Sequence, residues 1–334
     1  MQATVAVVGA GSWGTTLAAL AADAGHTARI WCRRAEIAAE ISAEHRSPYL
    51  PGISLPWALR ASTDASEVLA GADYVLVAVP SHALGDVIGA MAGEIGADAT
   101  VLSVSKGIEQ QTLRRMTEVL AAELPHVAAA RIGALSGPNL AREIAQHLPA
   151  ATVVAMHDSA AAAAAQATFM TPNLRVYTNT DVLGVELCGA AKNTVAIAAG
   201  IVDGLGFGDN ASAALITRGL AEVTRLGMRL GGDPLTFAGL AGAGDLIATC
   251  TSLQSRNRHV GEELAKGRKV GEIVDDLAMV AEGVNSTRAL CDLAAGAGVE
   301  MPIADQVARV LYDGVNATEA VQQLMGRAPR PEVY

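Results

Sequence analysis

Lys192 is the residue whose surroundings first suggest chemistry. It sits in Gly189-Ala190-Ala191-Lys192-Asn193-Thr194-Val195-Ala196, a stretch of mostly small residues. The positions three and four away on a helix are Cys188, Gly189, Val195 and Ala196, so no carboxylate pairs with it along that helix. Such a lysine either snorkels to water or is partly desolvated. Desolvation would lower its pKa toward neutrality, which suits a group exchanging a proton with a reacting oxygen. Lys106 follows the apolar run Thr100 to Val104 and either holds a substrate anion or is solvated. Gly137 and Asn139 follow another such run, Arg131 to Leu135. Gly137-Pro138 predicts a helix start with proline first and free N–H groups. Gly242-Ala243-Gly244-Asp245 reads either as a ligand-facing glycine turn or as a structural turn whose Asp245 caps the next helix. Ser255-Arg256-Asn257-Arg258 offers a Ser N-cap, free backbone N–H groups and arginine, which together make an anion site or simply a capped basic helix end. Glu282 has no chemistry that its neighbours reveal.

A second group of residues points to a nucleotide. Val5 to Val8 is an apolar strand, Gly9, Gly11 and Gly14 follow as G-x-G-x-x-G, and Thr15 to Ala22 is rich in helix formers. Strand, glycine turn and helix in that order form the dinucleotide fingerprint. Gly9 permits the tight turn, Gly11 lets the backbone approach a pyrophosphate, and Gly14 lets the helix pack on the strand. The pyrophosphate would lie at the positive end of that helix. The second strand, His26 to Cys32, ends in Arg33-Arg34, with Glu36 the nearest carboxylate. Arginine at this place accommodates the 2′-phosphate of NADP, so NADP is expected as the preferred cofactor and NAD as a possible one.

These residues need elements to hold them. Strands are expected at Leu59 to Ala61, Asp73 to Val79, Thr100 to Val104, Arg131 to Leu135, Ala151 to Met156 and Leu174 to Tyr177. Alternation with helices predicts an α/β, Rossmann-type domain with a mostly parallel sheet. From Asp181 onward the periodicity is helical, over Asp181 to Val202, Ala211 to Leu230, Arg256 to Lys266 and Ser286 to Ala295. Two domains are therefore expected: a NAD(P)-binding domain over 1–180 and an all-helical substrate-binding and catalytic domain over 181–334. The ligand site is expected between them. The 334 residues exceed what one core usually holds. A net charge of -10 argues against nucleic-acid binding and requires any anionic ligand to find local basic groups. The longest apolar stretch, Ala160 to Ala165, is too short to span a bilayer. Cys32, Cys188, Cys250 and Cys291 are scattered, and neither they nor the seven histidines show metal spacing, so no metal site is expected. No charged-then-apolar leader precedes the first strand, so a cytoplasmic location with reduced thiols is expected.

The blocks GAGSWGTTLA, LSVSKGIE, SGPNLAREIA, GAAKNTVAIAAGI, GFGDNASAALITRGLAE, GAGDLIATCTS and SRNR occur in this order. The chain thereby resembles, over nearly its whole length, the bacterial NAD(P)-dependent glycerol-3-phosphate dehydrogenases. The resemblance implies interconversion of dihydroxyacetone phosphate and sn-glycerol 3-phosphate, supplying phospholipid synthesis. It implies Lys192 as proton donor, and Lys106, Gly137, Asn139, Asp245, Ser255, Arg256 and Asn257 around the substrate. Around the cofactor it implies Ser12, Trp13, Arg33, Arg34, Tyr49, Lys106, Ala141, Arg256, Val280 and Glu282, beside the three glycines. Asn139 stands where the family more typically has Ser or Thr, although an amide can still donate and accept. A homodimer is a possible assembly. A β-hydroxyacid dehydrogenase would share the two-domain plan but select a carboxylate substrate. A non-catalytic NADPH-sensing protein would not need Lys192, Asp245 and the Ser255-Arg256-Asn257 site together.

Overall fold

Eight strands form one sheet in the order β3-β2-β1-β4-β5-β6-β7-β8, in a computed structural model describing residues 2–277, 279–329 and 331–332. Met1 and Tyr334, the outer ends of the two expected domains, lie outside the described residues. The strands are β1 (Thr4–Val8), β2 (Thr27–Trp31), β3 (Arg60–Ser62), β4 (Tyr74–Val77), β5 (Thr100–Ser103), β6 (Ile132–Ser136), β7 (Ala150–Met156) and β8 (Leu174–Asn179). All neighbours run parallel except β6 and β7. Between the strands lie α1 (Ser12–Asp23), α2 (Ala35–Ala43), α3 (Ala65–Leu69), α4 (Leu84–Ala90), α5 (Met116–Glu123), α6 (Ala141–Ala145) and α7 (Ser159–Phe169). The short strand expected at Leu59 to Ala61 is β3, shifted by one residue.

The strands are apolar on both faces because both are covered. Val5, Val7, Ile30, Leu76 and Leu102 pack on one side, and Ala6, Val8, Val75, Val77 and Val101 on the other. Two glycines show why the first turn needs its sequence. Gly9 has φ +110, and a Cβ there would meet the Ala78 carbonyl at 2.7 Å. A Cβ on Gly14 would lie 2.0 Å from the Gly9 carbonyl oxygen. A side chain at Gly9 would push the turn off the end of β4, and one at Gly14 would separate α1 from β1.

After β8 the chain is helical: α8 (Val182–Gly204), α9 (Asp209–Arg229), α10 (Pro234–Ala238), α11 (Asp245–Thr251), α12 (Arg256–Ala265), α13 (Val270–Asp276), α14 (Glu282–Ala297), α15 (Pro302–Tyr312) and α16 (Ala317–Met325). Helix α8 is the axis of this half. By length and composition it could cross a membrane, unlike the alanine run considered from sequence, but the apolar window that passes that test is buried inside the protein. The Asp181 side chain caps it at the Gly184 N–H, 2.8 Å away. Gly261 of α12 lets the two helices touch, since a Cβ there would sit 2.0 Å from the Ile197 carbonyl oxygen. Glu186 of α8 reaches back to α5, accepting from the Thr117 N–H at 2.8 Å and from Arg115 at 2.9 Å. Burial pushes this carboxyl up, and Arg115 opposes the shift.

Candidate active site

The carboxyl ends of β1, β4 and β5 face α8, α11, α12 and the start of α14 across a cavity of about 580 Å³. An open α/β sheet places its ligand at this edge. Along one end run Gly9, Gly11, Ser12, Trp13 and Gly14. Among the described residues, apart from its chain neighbours, nothing lies within 4 Å of where a Gly11 Cβ would point, so the backbone there faces open space. Arg33 and Arg34 follow β2 in the same wall, with Tyr49 beside them. The Arg34 guanidinium donates to the Tyr49 hydroxyl at 2.6 Å and lies 3.4 Å from Glu36. Trp13 Nε1 and Asn139 Oδ1 are buried without a hydrogen-bond partner among the described residues. An unpaired indole donor and an unpaired amide acceptor in one cavity wall suit a ligand that brings both an acceptor and a donor. A dinucleotide carrying phosphates and a carboxamide therefore fits this cavity.

Beneath the cavity lies an ionic cluster. Asp245, at the start of α11, is 1% exposed. One of its oxygens accepts from Lys192 Nζ and the other from Lys106 Nζ at 2.7 Å. Lys106 Nζ also donates to the Gly137 carbonyl at 3.0 Å. Lys192 Nζ donates to Thr249 Oγ1 at 2.6 Å. Two ammonium groups thus share one carboxylate, leaving positive charge for an anionic ligand or a developing oxyanion. Burial pushes the Lys192 pKa down to about 8, Asp245 opposes that fall, and Lys106 adds to it. A lysine near 8 is poised to exchange a proton at neutral pH.

The third part is the N-terminus of α12. Ser255 is its N-cap, accepting from the Arg258 N–H at 3.2 Å. The first N–H groups of a helix have no acceptor within it, so those of Arg256 and Asn257 remain for an anion. Arg256 donates to the Val280 carbonyl. Burial pushes the Arg256 pKa down and Glu282 opposes it. The Asn257 side chain donates to Asn193 Oδ1 at 2.9 Å and accepts from the Gly283 N–H at 2.9 Å. Glu282 accepts from the Ser81 hydroxyl at 2.6 Å and from its N–H at 3.2 Å.

The cavity wall brings together sixteen of the residues expected from sequence: Gly9, Gly11, Ser12, Trp13, Gly14, Arg33, Arg34, Tyr49, Lys106, Asn139, Lys192, Ser255, Arg256, Asn257, Val280 and Glu282. Asp245 and Gly137 lie behind it, joined to it through the lysines. Ala141 is not in the wall; its carbonyl accepts from Thr16 of α1 at 3.2 Å.

Several expectations are corrected. Pro138 begins no helix. Gly137 has φ +143, Asn139 Nδ2 is tied to Thr152 at 3.0 Å, and α6 starts only at Ala141. Gly242 to Gly244 is no tight turn, because Leu240–Gly244 forms a π-helical turn running into α11. Gly242 is needed for packing, since a Cβ would lie 2.0 Å from the Phe237 carbonyl oxygen. Asp245 caps no helix N–H; its side chain serves the lysines. Lys192 lacks a partner along its own helix but has one from α11. Sequence reasoning also missed Thr249, Asn193 and Ser81. Thr249 follows Asp245 by one helical turn, which was its available signal. Among the described residues no group of His, Cys, Asp or Glu is placed to hold a metal.

Two family models match the chain: the N-terminal part of NAD-dependent glycerol-3-phosphate dehydrogenase over residues 4–162, and its C-terminal part over 181–322. A glycerol-3-phosphate dehydrogenase [NAD(P)+] from Frankia casuarinae is 51% identical, over 98% of this chain and 97% of its own. One from Chlorobium limicola is 46% identical over 99% of both. The crystal structure of a glycerol-3-phosphate dehydrogenase from Coxiella burnetii superposes with a TM-score of 0.93 at 40% identity, covering 98% of this chain and 99% of that one.

Proposed function

The chain belongs to the NAD-dependent glycerol-3-phosphate dehydrogenase family, and from that membership we infer the following reading of its reaction and site. It is an NAD(P)-dependent oxidoreductase that interconverts dihydroxyacetone phosphate and sn-glycerol 3-phosphate, feeding phospholipid synthesis. The division between its cofactor and substrate parts falls after residue 180, between the end of β8 at Asn179 and the start of α8 at Val182. The cofactor lies along the glycine turn, with Arg33, Arg34 and Tyr49 around the adenosine 2′ position, where the arginines favour NADP over NAD. Ser12, Trp13, Lys106, Arg256, Val280 and Glu282 complete that site, whereas Ala141 lies outside the cavity wall. When bound, the dinucleotide supplies the hydride that adds to C2 of the ketone.

The chain's own groups do the rest. Lys192 gives a proton to the C2 oxygen during reduction and takes it back during oxidation. Asp245 and Thr249 fix the direction of its ammonium group. Lys106, positioned by Asp245 and Gly137, adds positive charge where the oxyanion grows. The substrate phosphate meets the α12 N-terminus, with Ser255, Arg256 and the Asn257 N–H. The Asn257 side chain is already committed, so its contribution is through the backbone. Gly137 and Asn139 close the opposite side. The reaction takes place in the cytoplasm, and the working form is a homodimer.

The observation that carries this reading is the Lys192–Asp245–Lys106 cluster buried under a dinucleotide-type cavity. Steady-state NADPH oxidation across phosphorylated ketones and 3-oxo acids tests it. Turnover should be confined to dihydroxyacetone phosphate and close analogues. Preference for a 3-oxo acid would overturn it.

A further inference from the structure

Three chain segments meet at one point beside the cavity. They are the turn after β4, the turn after β5 and the first residue of α14. Ser81, only 5% exposed, belongs to the first. Its hydroxyl donates to one oxygen of Glu282 at 2.6 Å and its N–H to the other at 3.2 Å, across 201 positions of sequence. Gly107, next to Lys106, leaves the room for this. A Cβ there would lie 2.3 Å from Ser81 Oγ and 3.6 Å from Glu282 Oε2. The following residue, Gly283, donates its N–H to Asn257 at 2.9 Å. Residues 282 and 283 are thus pinned to the sheet edge on one side and to the start of α12 on the other.

A free glutamate side chain samples many rotamers, and ordering it costs conformational entropy when a ligand binds. A carboxylate already held by two donors has met that cost in folding. Two donors on two oxygens also fix the plane of the carboxylate. We propose that Ser81 is a positioning residue for the cofactor site: it holds the Glu282 carboxylate in the cavity wall and thereby joins the sheet edge to the helical half before the dinucleotide arrives. The proposal rests on the assignment of Glu282 to the cofactor site made above.

The test is NADPH affinity of the full-length enzyme, titrated by fluorescence without substrate, for Ser81→Ala, Glu282→Ala and the double variant. Ser81→Gly serves as a second loss of the hydroxyl, and circular dichroism with thermal melting checks folding. Losing a hydrogen bond to a charged group should raise the NADPH Kd about tenfold in Ser81→Ala. Glu282→Ala should raise it at least as much. The double variant should bind like Glu282→Ala, because Ser81 acts only through that carboxylate. At saturating NADPH and dihydroxyacetone phosphate, kcat of Ser81→Ala should stay within about twofold of wild type, the mark of lost binding rather than lost chemistry. If Ser81→Ala and Ser81→Gly bind NADPH normally while Glu282→Ala does not, Glu282 keeps its assignment and the role of Ser81 is overturned. If Glu282→Ala binds normally, the assignment of Glu282 fails and the proposal fails with it. Additive losses, or a lower melting temperature with unchanged Kd, would reduce the contact to a structural brace.

Discussion

Asp245→Asn isolates what the buried carboxylate does for Lys192. In the wild type, burial lowers the lysine and Asp245 holds it up, with the balance at about 8. At pH 7.5 roughly three quarters of the lysine then carries the proton needed for reduction. A unit charge pair at contact is worth about 4 kcal/mol at an effective dielectric of 20, and one pKa unit is about 1.4 kcal/mol. Replacing the carboxylate by a neutral amide should therefore lower the Lys192 pKa by about one to three units. Lys106 stays beside it, so its repulsion pushes the same way. With a pKa near 6, only about 3% of Lys192 would be protonated at pH 7.5, which predicts roughly a twentyfold loss in kcat/KM for reduction. The assay is kcat/KM against pH in both directions. Wild-type reduction should fall as pH rises through about 8, and wild-type oxidation should rise there, because one direction needs Lys192 charged and the other needs it neutral. In Asp245→Asn both midpoints should move to lower pH, and reduction should recover on acidification. Removing one partner of a buried pair also costs about 3–5 kcal/mol of stability, so folding is checked at each pH. A midpoint unmoved from about 8 would show that Lys192 is not the titrating group or that Asp245 does not support it.

Lys192→Met should bind NADPH almost normally and lose ~10²–10⁴ in kcat, the range for a general acid; turnover near wild type would exclude that role. The pair Arg33→Ala and Arg34→Ala should weaken NADPH relative to NADH by roughly tenfold or more in kcat/KM, because a charge-assisted contact contributes about 1.5–3 kcal/mol. Equal weakening of both cofactors would show that neither arginine reads the 2′-phosphate. Gly261→Ala puts a methyl 2.0 Å from the Ile197 carbonyl oxygen, so denaturant unfolding should register a loss of about 1–3 kcal/mol or more; an unchanged midpoint would contradict the close α8–α12 contact.

Features encoded locally were legible in the sequence. The glycine fingerprint, the buried strands and the switch to helices after Asp181 each lie within one segment, and the structure places all three where the sequence pointed. Lys192 stood out because its helix neighbours are small and uncharged. Asp245 was a candidate too, but its pairing with Lys192 was not legible, because it lies 53 positions away and meets the lysine only when α11 packs on α8. Glu282 was opaque for the same reason, its partner being at the far side of the fold. The local rules misled at Pro138 and at Gly242-Gly244. Proline there has the right type for a first helical residue, but with Gly137 at positive φ and Asn139 bonded to Thr152 the chain enters no helix until Ala141. Gly242 serves packing against Phe237, a contact that no turn rule encodes.

The central claim is a phosphorylated ketone reduced over a lysine, with its phosphate at the start of α12. Arg256→Ala tests this most directly through the ratio of kcat/KM for dihydroxyacetone phosphate to that for dihydroxyacetone, with NADPH affinity titrated separately because Arg256 also reaches the Val280 carbonyl. The net charge of -10 leaves the anion dependent on local groups. Binding energy from the phosphate is used at the reacting carbonyl, so the ratio should fall through both a higher KM and a lower kcat for the phosphorylated ketone. The already slow reduction of dihydroxyacetone should barely change. An equal loss for both ketones would contradict the account, because Arg256 would then not be reading the phosphate.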